Sequence, residues 1–447
     1  MAKSNTVSAA RLAAFDVLKE VEAGVFSSVL LAAAEPKLEP LDRALCHELV
    51  LGVLRWQLQL DAAIEHYSKR NIATLDLPVL LALRLGLYQL RFLSRIPASA
   101  AVNESVNLVA RARLSSARPF VNAVLRRAVR EPEYSPSSDV SDPLQRVALE
   151  TSHPRWLIER WAEVFGLEWT ESFARANNQS PPTSIRVVRN VASEEDVLEN
   201  LRAAGASLIP SVVAKHAWRV SGAVPKVRQL VEQGKIYIQD EASQLVAEVV
   251  DARAEDHILD LCAAPGGKTS LFADRSNDTA RVVGSDFSFR RLETLARTVE
   301  LQRLKNVRLL VLDARRQLPF TNKTFDKVLV DAPCSGTGTL RHNPEIRWRL
   351  TPPDIDDLSR QQLELLMNAS AVVKTGGTLV YSTCSVEPEE NEQVVDEFLR
   401  LQGGYQQVPV KTAPELLTNT GAVRTWPHRH GTDGFFVAAL QRINLQE

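Results

Sequence analysis

A chain of 447 residues exceeds what one ordinary hydrophobic core organises, so two or three domains are expected. Its 45% hydrophobic and 24% charged residues are those of a water-soluble globular protein. A net charge of −1 singles out no partner, although a local basic face can still hold phosphate. The opening MAKSNTVSAARLAAF has no apolar leader core, and no run of about 18 uncharged apolar residues suits a membrane span. VLLALRLGLYQLRFL comes nearest, and Arg84 and Arg91 interrupt it. Cys46, Cys262, Cys334 and Cys384 are widely separated and lack C-x-x-C spacing, which argues against a disulfide framework or a zinc site and for a reducing, cytoplasmic setting.

In chain order, residues 8 to about 130 read as helices. Leu45, Leu49, Val53, Trp56, Leu60, Ile64 and Tyr67 recur in steps of three and four, one face of a helix. LPVLLALRLGLYQLRFL and SVNLVARARL also lean helical. Residues 111–130 carry Arg111, Arg113, Arg118, Arg126, Arg127 and Arg130 with no acid among them, which is either a solvated helix face or a phosphate-binding surface. EPEYSPSSDVSDP, residues 131–143, reads as a linker. WLIERWAEVFG, TSIRVV, EEDVLENLRAAG and GKIYIQD then suggest a small α+β domain over 145–240, after an all-α domain over 1–135.

From 241 to 447 strands and helices alternate. HILDLCAA, ARVVGSD, VRLLVLDA, DKVLVDA and GTLVYSTC are strand candidates; RRLETLARTVELQRL and LSRQQLELLMNASAVV are helical. That alternation predicts a parallel, doubly wound α/β sheet, which binds ligands beyond the carboxyl ends of its strands. Asp260, Asp286, Asp313, Asp331, Cys334 and Cys384 all fall there.

The first of these strands runs into CAAPGGKT, residues 262–269. A glycine pair between strand and helix lets a ligand approach the backbone and meet helix N-terminal amides. A Walker loop would need glycine where Cys262 stands, and G-x-G-x-x-G is absent, so no pyrophosphate is indicated. Asp286 ends the next strand 19 residues after Gly267 (286 minus 267), where an acid commonly grips ribose hydroxyls, and Asp313 could hold an adenine amine. A lone acid at a strand end is often only a helix cap; three such acids with the glycine loop fit an adenosine-containing cofactor.

A free cysteine is more often a small core residue than a reagent. Cys334 in DAPCSGTG and Cys384 in YSTCS argue otherwise, since both lie just past strand ends among small polar residues. Consecutive strands tend to be neighbours, so with Asp331 they would form a pocket of two thiols and a carboxylate. Metal binding is disfavoured, because His342 is the only nearby histidine and WPHRHG offers a loose pair. The residues alone do not rank the two thiols.

CAAPGGKT, DAPCSGTG and YSTCS, in this order and spacing, together with QDEAS and TDGFFVAAL, resemble the RNA 5-methylcytosine methyltransferases of the bacterial Sun family, also called RsmB or Fmu. The N-terminal region resembles the antitermination factor NusB. The resemblance spans nearly the whole chain and implies a Rossmann-like class I methyltransferase domain behind a NusB-like RNA-binding domain. It implies S-adenosylmethionine held by Cys262, Ala263, Ala264, Pro265, Gly266, Gly267 and Lys268, with Asp286, Asp313 and Asp331 as further contacts. It also implies a cytosine of 16S rRNA as substrate, naked or in an early assembly intermediate, and a monomeric enzyme. Within it Cys384 is the attacking thiol, Cys334 releases product, and Asp331 acts on the ring edge. Arg341, Arg347 and Arg349 in RHNPEIRWR join the arginines of 111–130 as expected RNA contacts. The rivals are an RNA-associated binding factor without turnover, which would be expected to have lost a thiol or the loop, and a DNA cytosine methyltransferase, which the second cysteine disfavours.

Overall fold

Helices carry the first part of the chain: α1 (Ala9–Glu22), α2 (Ser27–Ala34), α3 (Pro40–Arg55), α4 (Gln57–Ser68), α5 (Leu77–Phe92), α6 (Ala98–Arg111), α7 (Arg118–Arg130), α8 (Pro143–Thr151), α9 (Arg155–Phe165) and α10 (Leu167–Ala176). The computed structural model describes residues 7–277 and 279–444. It separates two units, Met1–Ser180 with Leu340–Arg349, and Pro181–Thr339 with Leu350–Glu447.

In the first unit, the stripe from Leu45 to Tyr67 builds two helices rather than one. Leu49, Val53, Leu60 and Ile64 are fully buried as the spacing predicts, but the backbone breaks at Trp56 (φ −105°, ψ 17°). There the indole stacks on Phe92 at 4.9 Å, a contact that neither glycine nor proline announces. The run that came nearest to a membrane span is α5, buried in the helical core. Its Arg84 is tied to Asp61 at 2.7 and 2.8 Å and to Glu22 at 2.9 Å. No helix of the described residues is long and apolar enough to cross a membrane.

The first unit also runs past the 131–143 segment, to Ser180. Tyr134 stacks on His66 at 3.8 Å, and α8 returns to α4 through Leu58 N–H to Ser152 Oγ (3.0 Å) and Gln59 Nε2 to the Glu150 carbonyl (2.8 Å). Residues 340–349 complete this unit and correct the RNA-contact expectation for Arg341 and Arg347, which are buried in it. Arg347 is fully buried and donates to the Ser152 carbonyl (3.1 Å) and Asn178 Oδ1 (2.9 Å). Arg341 is 3% exposed. Arg349 donates to the carbonyls of Val21 (2.5 Å), Val25 (2.8 Å) and Gly24 (3.1 Å). Arg349 is half-buried, and its guanidinium bonds the helical unit's own backbone.

The second unit contains a small antiparallel sheet, ordered β2-β3-β1-β4, from β1 (Thr183–Val187), β2 (Ser207–Pro210), β3 (Ala217–Ser221) and β4 (Ile236–Ile238), with α11 (Glu194–Ala203) and α12 (Val224–Glu232). After α13 (Glu241–Val250) come β5 (His257–Asp260), α14 (Gly267–Arg275), β6 (Arg281–Asp286), α15 (Phe289–Leu301), β7 (Val307–Val311), β8 (Phe325–Asp331), α16 (Pro352–Val372), β9 (Val373–Thr383), α17 (Glu392–Leu401), β10 (Tyr405–Val408), β11 (Val423–Arg424) and β12 (Phe436–Arg442). The large sheet has the order β10-β12-β9-β8-β5-β6-β7, and β5 to β9 are parallel. All five strands read from the sequence are present. Core layers lie on both faces, with Ile258, Leu329 and Val380 in one and Leu259, Val328, Val330 and Leu379 in the other, which is why these strands are apolar throughout rather than alternating.

Breaking a buried ion pair on one side leaves an uncompensated charge. Asp61→Ala should therefore lower the unfolding free energy of the helical unit by about 3 kcal/mol in urea titrations of the full chain. The pair replacement Asp61→Leu with Arg84→Leu should lose markedly less; equal losses would deny the pair its role.

Candidate active site

The loop from β5 into α14 sets the first half of the site. Gly266 takes φ +109°, and a Cβ there would collide with the Leu295 side chain. A Cβ on Gly267 would come within 3.2 Å of Gln239 and Tyr237, so the backbone is packed as closely as glycine allows. The small sheet braces this turn. Arg186 of β1, fully buried, donates to Ser270 Oγ (2.7 Å) and Gln239 Oε1 (3.1 Å) and lies over the Tyr237 ring. Burial pulls its pKa down to about 10.

Two adjoining recesses share Cys262. One, of about 510 Å³ with its open mouth, is lined by the 262–268 loop, Tyr237, Gln239, Ser243, Asp260 and Asp331. The other, of about 750 Å³, is lined by Asp286, Phe287, Leu312, Asp313, Pro333 and Leu365 among others. Asp260 is 1% exposed; Thr269 donates to its Oδ2 at 2.7 Å, and Oδ1 has no partner. Burial raises its pKa to about 7. Asp286 faces Arg291 at 2.9 Å and caps Ser288 N–H at 3.0 Å. Asp313 is held by Arg315 at 2.9 and 3.0 Å, and that guanidinium lowers its pKa. Phe287 is 71% exposed at the edge of this recess, an aromatic face open to stacking.

These residues fit S-adenosylmethionine. The unpaired Asp260 oxygen would hold the α-ammonium, the glycine-loop amides the carboxylate, Asp286 the ribose, and Phe287 with Asp313 the adenine. The Cys262 thiol is raised by burial and by Asp260, so it stays a protonated lining group.

The second half is set by β8 and β9. Their parallel register places Asp331 opposite Ser382, so the turns beyond both strands emerge side by side. Cys334 Sγ and Cys384 Sγ lie 3.2 Å apart, and Cys384 N–H points at Cys334 Sγ at 3.3 Å. Beside them Lys268 Nζ bonds Asp331 Oδ2 at 2.7 Å, and Ser382 Oγ donates to Asp331 Oδ1 at 2.7 Å. Burial opposes the Lys268 charge, but the Asp331 carboxylate outweighs it and its pKa is raised. The Cys334 thiol is pushed well above its ordinary value by its hydrogen bond to Cys384, by burial and by the charges of Cys384 and Glu390.

Lys268, Asp331, Cys334 and Cys384 thus converge at one point, while Asp286 and Asp313 stand together along the adjoining recess. Asp260 was visible as a strand-end acid but lacked a reason to be singled out until its free oxygen appeared. Tyr237 and Gln239 come from a different sheet, and Phe287 follows Asp286 without any motif. Of the arginines at 111–130, Arg111, Arg113, Arg126 and Arg130 are exposed, Arg118 is half-buried, and Arg127 is tied to Glu131 at 3.0 Å and to the Tyr67 carbonyl at 3.2 Å.

Comparison with known proteins agrees with this architecture. Residues 247–441 match the family described as 16S rRNA methyltransferase RsmB/F, residues 8–130 the NusB family, and residues 153–226 the ferredoxin-like domain of RsmF/B-like methyltransferases. A ribosomal RNA small subunit methyltransferase B of Synechocystis, named as probable, is 35% identical over 97% of this chain and 99% of its own. The corresponding Bacillus subtilis protein is 32% identical over 93% and 95%. A solved methyltransferase homologue from Pyrococcus horikoshii superposes with a TM-score of 0.61 at 28% identity, covering 68% of this chain and 100% of that one. With those matches running through all three regions and the glycine loop in place, the chain belongs to the ribosomal RNA small subunit methyltransferase B family of S-adenosylmethionine-dependent enzymes.

Proposed function

We propose that this protein methylates carbon 5 of a cytosine in 16S rRNA, in the cytoplasm, through a covalent adduct with Cys384. The observation that carries the reading is the pair of thiols 3.2 Å apart beside the Lys268–Asp331 ion pair. Bound S-adenosylmethionine supplies a methyl group on a sulfonium, an electrophile that cytosine carbon 5 is too poor a nucleophile to attack unaided.

A Cys384 thiolate adding to carbon 6 forms the carbon–sulfur bond and pushes the electron pair of the 5,6 double bond into the ring, which makes carbon 5 nucleophilic. The Asp331–Lys268 pair holds the proton that the ring gains at nitrogen 3. After methylation, carbon 5 gives its proton to water, the double bond re-forms as the sulfur leaves as thiolate, and nitrogen 3 returns its proton to the Asp331–Lys268 pair. Cys334, kept protonated, donates a hydrogen bond to that sulfur, stabilising the thiolate before attack and again as it departs. In this reading Cys384 is the nucleophile and Cys334 the releasing group. The base must be unstacked, at roughly a few kcal/mol unless it already lies in a loop. Exposed Arg126 and Arg130 of α7 are suited to the flanking phosphates.

Labelled methyl transfer to unmodified 16S rRNA tests the reading: label should appear at carbon 5 of a cytosine, and its absence there would refute it. Cys384→Ala should abolish transfer. Cys334→Ala should accumulate a protein–RNA adduct through Cys384 that survives denaturing gels, whereas an adduct through Cys334 in Cys384→Ala would invert the assignment.

Because the raised acid Asp260 is protonated below about pH 7 and ionised above it, cofactor affinity should rise between about pH 6 and pH 8. Calorimetric titrations with Asp260→Asn should lose that rise. Charge reversal at Arg126 and Arg130 should weaken rRNA binding by roughly tenfold at moderate salt in filter-binding assays, and an unchanged affinity would return α7 to a solvated face.

A further inference from the structure

Outside the groups that carry the chemistry, one buried acid faces both thiol turns. Glu390 is fully buried in the turn after β9. Its Oε1 accepts the Ser335 backbone N–H at 2.8 Å and Gln362 Nε2 at 2.9 Å. Its Oε2 accepts the Ser385 hydroxyl at 2.5 Å and the Ser335 hydroxyl. Ser335 is next to Cys334 and Ser385 is next to Cys384, so one carboxylate holds both thiol-bearing turns. Gln362 extends the clamp: its amide also donates to the Pro333 carbonyl at 2.9 Å, and its oxygen accepts from Tyr381 at 3.0 Å.

We propose that Glu390 is the positioning residue of the thiol pair: its carboxylate fixes the spacing of the two sulfurs and keeps a negative charge behind Cys334. The inference rests on the two-thiol reading above for its catalytic meaning, but its geometry is independent of substrate. A backbone N–H and a side-chain amide can only donate, and both meet Oε1, while two hydroxyls meet Oε2. A carboxamide offers one acceptor oxygen where the carboxylate offers two. Burial raises the Glu390 pKa, and its serine and Gln362 hydrogen bonds oppose that rise. The titratable groups facing Cys334 are Cys384, Glu390 and Tyr381, and Lys268 faces Cys384. Among these, Glu390 acts with burial against a Cys334 thiolate, so the charge makes two adjacent cysteines unequal.

The test is differential alkylation of the free protein with iodoacetamide across pH, read by peptide mass spectrometry at Cys334 and Cys384 separately. Glu390→Gln should move the alkylation midpoint of Cys334 down by about one pH unit and, in single turnover on 16S rRNA, lower the rate of methyl transfer while adduct accumulates. Glu390→Asp, which keeps the charge on a shorter arm, should retain the high Cys334 midpoint while the rate still falls. An unchanged Cys334 midpoint in Glu390→Gln overturns the proposal, because then no charge acts on the thiol. Loss of cooperative melting in both variants also overturns it, making Glu390 purely structural. Since alkylation uses neither RNA nor cofactor, a failure of the cytosine reading leaves this measurement intact, and a null alkylation result leaves that reading standing.

Discussion

The pairing of β8 with β9 is the constraint on which the site depends. These strands are neighbours, parallel, and registered so that Asp331 faces Ser382. Parallel neighbours end at the same edge of a sheet, so the turns that follow them start a strand spacing apart, roughly 4.8 Å. A thiol placed shortly after each strand then has no choice but to meet the other. Shifting the register by one residue would move Asp331 away from Ser382 and send alternate side chains to the opposite face. The apolar runs of both strands, buried on both faces, prevent that shift. The chemistry at the edge is thus set by packing many ångströms away in the sheet.

Close backbone approaches hold the turns once the strands have aligned them. Gly338 donates its N–H to the Cys384 carbonyl at 2.9 Å, and its own carbonyl accepts from Gly434 N–H at 2.8 Å. A Cβ on Gly338 would collide with the Gly434 carbonyl, so only glycine lets these three segments stack. This gives the TDGFF stretch a physical role: it enters the large sheet as β12 beside β9 and presses a glycine against the loop that carries Cys334. A segment near the end of the chain therefore helps to place a thiol about a hundred residues earlier.

What the sequence made legible follows from how local each signal is. The five parallel strands are continuous apolar runs, and the glycine loop and thiol turns directly follow three of them, so both fold class and site edge could be read without contacts. The break at Trp56 could not, because it depends on stacking against Phe92, distant in sequence. The arginines of RHNPEIRWR misled for the same reason. Nine residues with four charged side chains look solvent-facing, yet Arg347 is fully buried and meets carbonyls and an amide contributed by the turns after α8 and α10. Charge pattern reports what a side chain can bind, and only the fold decides whether that partner is a phosphate or the protein's own backbone.

The same distinction gives two equal-looking cysteines different surroundings. Cys334 and Cys384 share strand-end positions, small neighbours and a sulfur–sulfur contact, so nothing in local sequence ranks them. Their difference arises from what lies behind each. Cys334 is half-buried and backed by the carboxylate of Glu390, which disfavours a second negative charge there. Cys384 faces the Lys268 ammonium, which the Asp331 carboxylate keeps charged despite its burial. One thiol is thus backed by an anion and the other lies beside a cation, although their sulfurs are only 3.2 Å apart. The asymmetry needs no special residue at either cysteine, only an acid on one side of the pair and an ion-paired lysine on the other.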